Sequence, residues 1–443
     1  METKKELVKY PFLTKDVEVY TLENGHKIVL AHKEGGLVNV SSWVKTGSIN
    51  EDEHNNGISH FLEHLMFKGT HAHKAGEFDK ILEAKGAIVN AATWKDYTFY
   101  YVTLPKGKND EYFNLAIELH ADMMLDPLIP ENEVGEPFDL NKPVKVKRER
   151  HVVIEEIRMR GDQPWTKVYN ACNRGMYTNH PYKRDVIGTP EIISQVKQSE
   201  IMDYYKSFYT PENITTIIVG DFNSKTVLDK VVKEFENKWG DRPTKKIVNE
   251  IDAPISETIY AEQKAHINSA FLMFGYLGPK ACDLKKSIAL EIIAIILGDG
   301  TSSRLYQNLI EKLPEPIFNQ VNAEHYQFKD GDNFFIQANF KPDKKDLAID
   351  LIKTEIEKVK NDDVSQNELK KAKKKIKTQF AYNAETVSEI GETIGYYMTV
   401  CDDLNLVEDY LKVLDSISVE DLKNVANEYL DFSHASVSVL LPE

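Results

Sequence analysis

The chain has 443 residues, which exceeds one ordinary hydrophobic core and predicts about two to four domains. Hydrophobic residues make up 42% and charged residues 28%, a balance that excludes disordered and collagen-like chains. The net charge of −15 argues against nucleic-acid binding, because a phosphate-binding surface needs clustered lysine and arginine.

The sequence does not predict a disulfide framework, a targeting peptide or a membrane span. Cys172, Cys282 and Cys401 are far apart and fit a reducing compartment. Residues 1–17 include acidic side chains and lack an apolar stretch, so they make a poor signal or transit peptide. No apolar run approaches the roughly 20 residues that cross a bilayer. We therefore expect a cytoplasmic location.

The first half of the chain predicts a series of hairpins with helices between them. Strands are predicted at 17–22, 27–32, 38–46, 88–94 and 98–104, and helices from about 57, at 75–85 and at 110–125. Asn24-Gly25 lies between the first two strands, which is the preferred sequence for a tight hairpin turn.

A similar order of elements restarts after Ala253. Strands are predicted at 255–261, 268–276 and 328–340, and helices at 284–297 and from 344, 365, 388 and 418. Gly69-Thr70 and Gly300-Thr301 each close a predicted helix, and aligning them offsets the halves by 231 residues (301 minus 70). His60 then falls opposite Glu291. The second half has mostly apolar residues where the first carries polar ones.

This repeat predicts an α+β fold of two homologous domains, each a largely antiparallel sheet packed with helices. The predicted N-terminal domain, residues 1–238, carries the polar helix. Residues 255–443 form the predicted C-terminal domain without metal ligands. The polar, proline-containing segment 239–254 is the predicted linker.

His60 and His64 are four residues apart, so their imidazoles lie on one face of a helix. An isolated pair of this spacing is more often two ordinary histidines. Here the apolar neighbours bury the helix, and buried polar groups are costly unless something such as a metal satisfies them. Two imidazoles are half of a tetrahedral zinc site, and Glu63 beside them is a candidate general base. The order His-x-x-Glu-His is the inverzincin signature.

A catalytic zinc needs a third protein ligand. Glu149 and Glu156 are seven residues apart, two turns along one face of a predicted helix, whereas Glu155 points elsewhere. The pair predicts one metal ligand and one supporting acid. The choice of Glu156 over Glu155 rests on this helical register. Without the histidine helix, a charged face paired with neighbouring arginines would be the simpler interpretation.

These motifs resemble the pitrilysin/insulinase family of zinc peptidases, in its short, mitochondrial-processing-peptidase-like branch. The similarity runs from about Val17 to the C-terminus, and the matching segments are residues 60–64, 67–70, 90–93, 96–98, 149–156, 180–182, 187–190, 219–222 and 298–306. The resemblance implies one zinc ion held by His60, His64 and Glu156. It also implies Glu63 as general base and Glu149 as supporting acid.

The resemblance further implies how a substrate binds. The segment Asn90, Ala91, Ala92 and Thr93 is similar to the family's substrate-pairing edge strand. A peptide added to a sheet edge is held through backbone groups, so many side chains are tolerated. Peptides and unfolded segments are the implied substrates, and the implied activity is that of a zinc metalloendopeptidase.

Two departures from the family bear on activity. His64 and Glu156 are separated by 92 residues (156 minus 64), and the excess falls in a predicted surface loop at 132–147. Ile310 and Ile317 or Phe318 replace an arginine and a tyrosine that complete the site in self-sufficient members. Neither replacement can donate a hydrogen bond to an oxyanion.

The second departure predicts that this chain is the zinc-bearing subunit of a heterodimer. Its partner would be a homologue that lacks zinc ligands and supplies the Arg/Tyr pair. The alternative is a non-catalytic structural subunit of the same family. That alternative predicts decayed ligands, yet His60, Glu63, His64 and Glu156 are all present.

Overall fold

In the computed structural model the chain forms two compact units, each made of several segments. The first comprises Met1–Arg158, Asp185–Val248 and Phe380–Glu408, and the second comprises Met159–Arg184, Asn249–Gln379 and Asp409–Glu443. The structure describes residues 4–144, 146–236, 238–239, 242–361 and 364–443. Residues 240 and 241 of the predicted linker and residue 145 of the predicted loop lie outside these ranges. The predicted domain boundaries stay a prediction.

Twelve strands are found in the described residues. They are β1 (Lys4–Val8), β2 (Val17–Thr21), β3 (Lys27–His32), β4 (Leu37–Val44), β5 (Ile88–Thr93), β6 (Thr98–Pro105), β7 (Ile214–Gly220), β8 (Ile259–Ala265), β9 (Ala270–Leu277), β10 (Phe318–Tyr326), β11 (Asn333–Phe340) and β12 (Ser436–Pro442).

The helices are distributed along the whole described chain. They are α1 (Ile58–Met66), α2 (Glu77–Glu83), α3 (Glu111–Leu125), α4 (Glu131–Val134), α5 (Glu149–Gly161), α6 (Pro164–Met176), α7 (Pro190–Ile193), α8 (Gln198–Phe208), α9 (Ser224–Glu236), α10 (Leu284–Gly298), α11 (Arg304–Tyr306), α12 (Lys345–Asn361), α13 (Gln366–Tyr382), α14 (Val387–Tyr396), α15 (Asn405–Ser416) and α16 (Val419–Tyr429). None of these described helices combines the length and apolar character needed to cross a bilayer.

The first unit is built on a seven-stranded sheet with the order β1-β2-β3-β7-β4-β6-β5. Its neighbours are antiparallel except for the parallel pair β3 and β7. One face of the sheet contributes alternate side chains of β4 and β6 to a core that includes Phe61 and Leu62 of α1. Strand β5 lies at one end of the order, so it is an edge strand.

Helix α14 covers part of the other face of this sheet. A Cβ atom at Gly395 would lie 2.0 Å from the Trp43 ring, and one at Gly391 would lie 2.8 Å from the Asn39 side chain. Glycine at these two positions therefore permits the close approach of α14 to β4. Trp43 also stacks on Phe99 of β6, with ring centroids 4.2 Å apart.

The second unit repeats the core of the first. Its sheet has the order β10-β11-β9-β12-β8, with β8 and β12 parallel and the other neighbours antiparallel. This order matches β5-β6-β4-β7-β3 strand for strand, including the position of the parallel pair. Helix α10 follows β9 as α1 follows β4, which confirms the predicted repeat and the α+β class of two related domains.

Most predicted elements of the first half lie within two residues of the observed bounds. Two strand predictions of the second half were wrong. The strand predicted at 255–261 begins at Ile259, because its register follows its parallel partner β12. The strand signal at 328–332 belongs to the turn before β11, where Phe328 N–H donates to the Asp332 carboxylate over 3.1 Å.

Candidate metal centre

The N-terminus of α1 is held by a buried carboxylate that sequence reasoning missed. Glu51 accepts hydrogen bonds from the N–H groups of Gly57 and Ser59, at 2.8 and 2.9 Å. Asn56 donates its side-chain amide to the same group over 2.8 Å. These contacts satisfy helix N–H groups that have no partner within the helix, and the negative charge suits the helix N-terminus. An acid a few residues before a predicted helix was the available signal.

A second contact explains the motif at 187–190. Gly57 has a φ of 96°, and a Cβ atom there would lie 2.6 Å from the carbonyl oxygen of Ile187. Gly188 has a φ of 77°, and its own Cβ would lie 2.3 Å from the Asn56 carbonyl oxygen. The two glycines allow the chain segments to touch, and this contact fixes the start of α1.

His60 and His64 lie on one face of α1, as their spacing predicts, with ring centroids 4.8 Å apart. Glu156 of α5 faces both. Its Oε2 atom lies 3.9 Å from His60 Nε2 and 3.5 Å from His64 Nε2. One ligand atom from each of the three side chains lies within 4.8 Å of the others. The structure therefore brings the three predicted ligands together.

Glu155 is directed away from this group. Its carboxylate accepts a hydrogen bond from Arg158 over 2.8 Å, and 70% of its side chain is exposed. The helical register used in the sequence argument thus separates the two adjacent acids as expected. Helix α5 places Glu156, and not Glu155, beside the histidines.

Glu149 contacts His64 and is not one of the three grouped ligand side chains. Its Oε1 atom accepts a hydrogen bond from His64 Nδ1 over 2.9 Å, and its Oε2 atom lies 2.5 Å from the Lys68 ammonium. Although burial opposes it, these two contacts lower the pKa of the Glu149 carboxyl. An ionised carboxylate only accepts hydrogen bonds, so Nδ1 of His64 carries a proton. In the neutral imidazole that a metal requires, Nε2 would then be the nitrogen that is free to bind it.

Glu63 lies on α1 beside the histidines, mostly shielded from solvent. Burial raises the pKa of its carboxyl, an effect that Thr93 partly opposes. The Thr93 hydroxyl donates to Glu63 Oε2 over 2.5 Å. A carboxylate with a raised pKa next to two imidazoles has the properties of a group that takes up a proton and returns it.

Strand β5 lies against α1 at the open edge of the first sheet. The side chains of Asn90 and Ala92 are exposed, that of Ala91 is half-buried and that of Thr93 is buried. The four predicted substrate-binding residues therefore lie on both sides of the edge strand. The buried Thr93 side chain makes a hydrogen bond to Glu63.

Two family models together cover most of the chain. The model described as Insulinase (Peptidase family M16) matches residues 27–190, and that described as Peptidase M16 inactive domain matches residues 195–376. The zinc protease PqqE of Helicobacter pylori is 30% identical over 441 residues, covering 96% of this chain and 93% of that protein. The chain belongs to the M16 (insulinase) peptidase family.

A second relative and two solved structures are also similar to this chain. The uncharacterized zinc protease YmxG of Bacillus subtilis is 26% identical over 425 residues, covering 95% of this chain and 98% of that protein. The crystal structure of a protease from Helicobacter pylori has a TM-score of 0.84 at 29% identity, covering 99% of this chain and 100% of that one. An M16 inactive domain from Pseudomonas fluorescens, also at 0.84 but 17% identical, shows the shared fold alone.

Proposed function

We propose that this M16 chain is a zinc metalloendopeptidase that hydrolyses peptide bonds in peptides and unfolded segments. The observation that carries the proposal is the convergence of His60, His64 and Glu156, with their ligand atoms within 4.8 Å of one another. Glu63 lies on the same helix as the two histidines. The names of the relatives, zinc proteases, support the same activity.

The three side chains fit a zinc ion. Two imidazole nitrogens and one carboxylate oxygen are a usual ligand set for catalytic zinc. Bonds of about 2.1 Å in tetrahedral geometry separate ligand atoms by about 3.4 Å. The observed 3.5 and 3.9 Å from Glu156 to the two histidines are close to this separation. Three protein ligands would leave the fourth position open to the reactants.

A zinc ion bound there supplies a Lewis acid that acidifies water and polarises a peptide carbonyl. The residues of the chain do the rest. Glu63 would take a proton from the attacking water as the water oxygen bonds to the carbonyl carbon. When the carbon–nitrogen bond breaks, Glu63 would return that proton to the leaving amine, so no proton is gained or lost overall.

The edge strand β5 provides the means to bind a peptide. In the antiparallel pair with β6, Trp94 N–H donates to Tyr97 O over 2.8 Å, and bonded and non-bonded positions alternate along such a ladder. The backbone groups of Val89 and Ala91 therefore point to the open edge. A substrate strand could pair with them whatever its side chains, which suits an endopeptidase of broad specificity.

The heterodimer forms part of the proposal. Phe318 is the first residue of β10 and Ile317 directly precedes it. They are only 5% and 2% exposed, so they belong to the core of the second unit. Neither they nor Ile310 can donate a hydrogen bond to an oxyanion. We therefore propose a partner subunit, homologous to this chain but without zinc ligands, that provides arginine and tyrosine.

The experiment combines metal analysis with peptide cleavage. The purified chain should bind one zinc ion and cleave unstructured peptides when mixed with a homologue that carries the Arg/Tyr pair. Glu63→Gln should retain zinc and lose cleavage, while Glu155→Gln should change neither. Full turnover by the chain alone would rule out the two-subunit form. Zinc-free protein, inactive with and without the homologue, would instead establish the structural-subunit alternative.

A further inference from the structure

Thr93 has a role different from that of its neighbours on β5. Its side chain is 8% exposed and its hydroxyl donates to Glu63 Oε2 over 2.5 Å. Among the described residues, the Thr93 hydroxyl is the hydrogen-bond donor to the Glu63 carboxylate. We propose that Thr93 is the positioning residue for the general base, an inference that rests on the proposed peptidase function.

The strand register sets the direction of the Thr93 backbone. Thr93 lies opposite Thr98, and the next pair along, Trp94 and Tyr97, is the hydrogen-bonded one. Because bonded and non-bonded pairs alternate, the N–H of Thr93 points away from β6 and toward the open edge. The backbone of Thr93 therefore faces the open edge, while its hydroxyl holds Glu63.

In this arrangement a single strand, β5, would position both the general base Glu63 and the substrate. Ala91, two residues before Thr93, presents its backbone to the same edge, and successive residues of this kind are about 6.8 Å apart. A peptide paired with Ala91 would therefore lie beside the carboxylate held by Thr93. Without the hydroxyl, the Glu63 side chain would regain rotamers in which its oxygens face away from the peptide.

The matched variants are Thr93→Val and Thr93→Ser. Valine keeps the size and β-branching of threonine, so it preserves the strand but removes the donor. Serine keeps the donor. Thr103→Val on β6 serves as a control, because it removes a hydroxyl bonded to Asn39 over 2.9 Å and does not touch Glu63. Each protein is measured zinc-loaded, together with the partner subunit if wild-type activity requires it.

Thr93→Val should lower kcat by about 10- to 100-fold, a share of the 10²- to 10⁴-fold effect of a general base, with little change in KM. Thr93→Ser should restore most of the loss, and Thr103→Val should match wild type. Two readouts do not depend on turnover. The zinc affinity of Thr93→Val should equal that of wild type, as should peptide affinity when the change is made in Glu63→Gln.

Several results would overturn the inference. They are an unchanged or raised kcat in Thr93→Val, a loss that appears in peptide affinity, a weaker zinc affinity, or no recovery with serine. Failure of the proposed function would look different, since wild type itself would not cleave. If wild type cleaves, Glu63→Gln does not and Thr93→Val cleaves normally, only the role of Thr93 is lost.

Discussion

His64 donates its Nδ1 proton to Glu149 over 2.9 Å, which leaves Nε2 directed at Glu156, 3.5 Å away. One hydrogen bond therefore selects the tautomer and the ring orientation that a metal ligand needs. The motif His-x-x-Glu-His supplies the histidine, but a helix 85 positions further along the chain makes it usable.

Replacing Glu149 should weaken metal binding without removing a ligand. We expect Glu149→Ala to lower zinc affinity by about 10- to 100-fold, the usual effect of losing a partner behind a metal-bound imidazole. Competition with a zinc-binding dye measures this directly. Glu155→Ala is the matched control on the same helix, because its exposed carboxylate contacts Arg158. Equal affinities in the two variants would contradict the assigned role of Glu149.

Lys68 should support zinc binding indirectly, through its contact with Glu149. Its ammonium lies 2.5 Å from Glu149 Oε2 and neutralises a carboxylate that is largely shielded from solvent. We expect Lys68→Met to reduce zinc affinity by less than about 10-fold, which is a smaller loss than in Glu149→Ala. Lys68→Arg should preserve most of the zinc affinity. Lys74→Met, at an exposed position nearby, should have no effect. A loss as large as that of Glu149→Ala would indicate that Lys68 acts by another route.

Gly57 and Gly76 allow a test of the contact that fixes α1. Both have positive φ and precede a helix, but only Gly57 lies against a neighbouring backbone. Alanine should cost about 1–2 kcal/mol at each site for the left-handed conformation. Gly57→Ala adds the clash with the Ile187 carbonyl oxygen, so its thermal midpoint should fall further and its zinc affinity should decrease. Equal thermal midpoints in Gly57→Ala and Gly76→Ala would show that residues 187–188 shift readily to accommodate the added methyl group.

His120 should make stability dependent on pH. It is buried in α3, its Nε2 atom lies 2.9 Å from Ser42 Oγ, and burial lowers its pKa from 6.5 to about 3. Between these values the unfolded chain binds a proton that the folded chain excludes. The stability contributed by the neutral imidazole is therefore complete above pH 6.5 and is lost as the pH falls toward 3.

The measurement is the thermal midpoint at pH 7, 6 and 5. One such group changes the free energy of unfolding by at most about 1.4 kcal/mol per pH unit. His120→Gln should show a shallower acid dependence than wild type, although its midpoint at pH 7 is lower because of altered packing. Ser42→Ala keeps the imidazole and should keep the wild-type slope. An unchanged slope in His120→Gln would mean that other groups control acid stability.

Strands β2 to β6 and helices α1 to α3 could be predicted closely because their signals are local, whereas β1 and β7 of the same sheet were not predicted. Alternation and 3.6-residue periodicity locate β2 to β6 and α1, and the Asn-Gly turn joins β2 to β3. The strands missed or misplaced are of a different kind. Strand β12 inserts between β8 and β9, far away in sequence, and that pairing sets where β8 begins. Local sequence does not report such distant pairing.

The spacing of His60, Glu63 and His64, and of Glu149 and Glu156, determined which side chains share a helix face. Helical geometry makes this a property of the sequence alone. Which faces meet was decided only by the tertiary structure, because packing brings α5 to α1 and the end of β5 to Glu63. The same holds for Glu51 and Thr93, whose importance arises from what lies beside them in space. Burial and hydrogen-bond partners belong to the folded chain, so the sequence alone could not assign these two residues their roles.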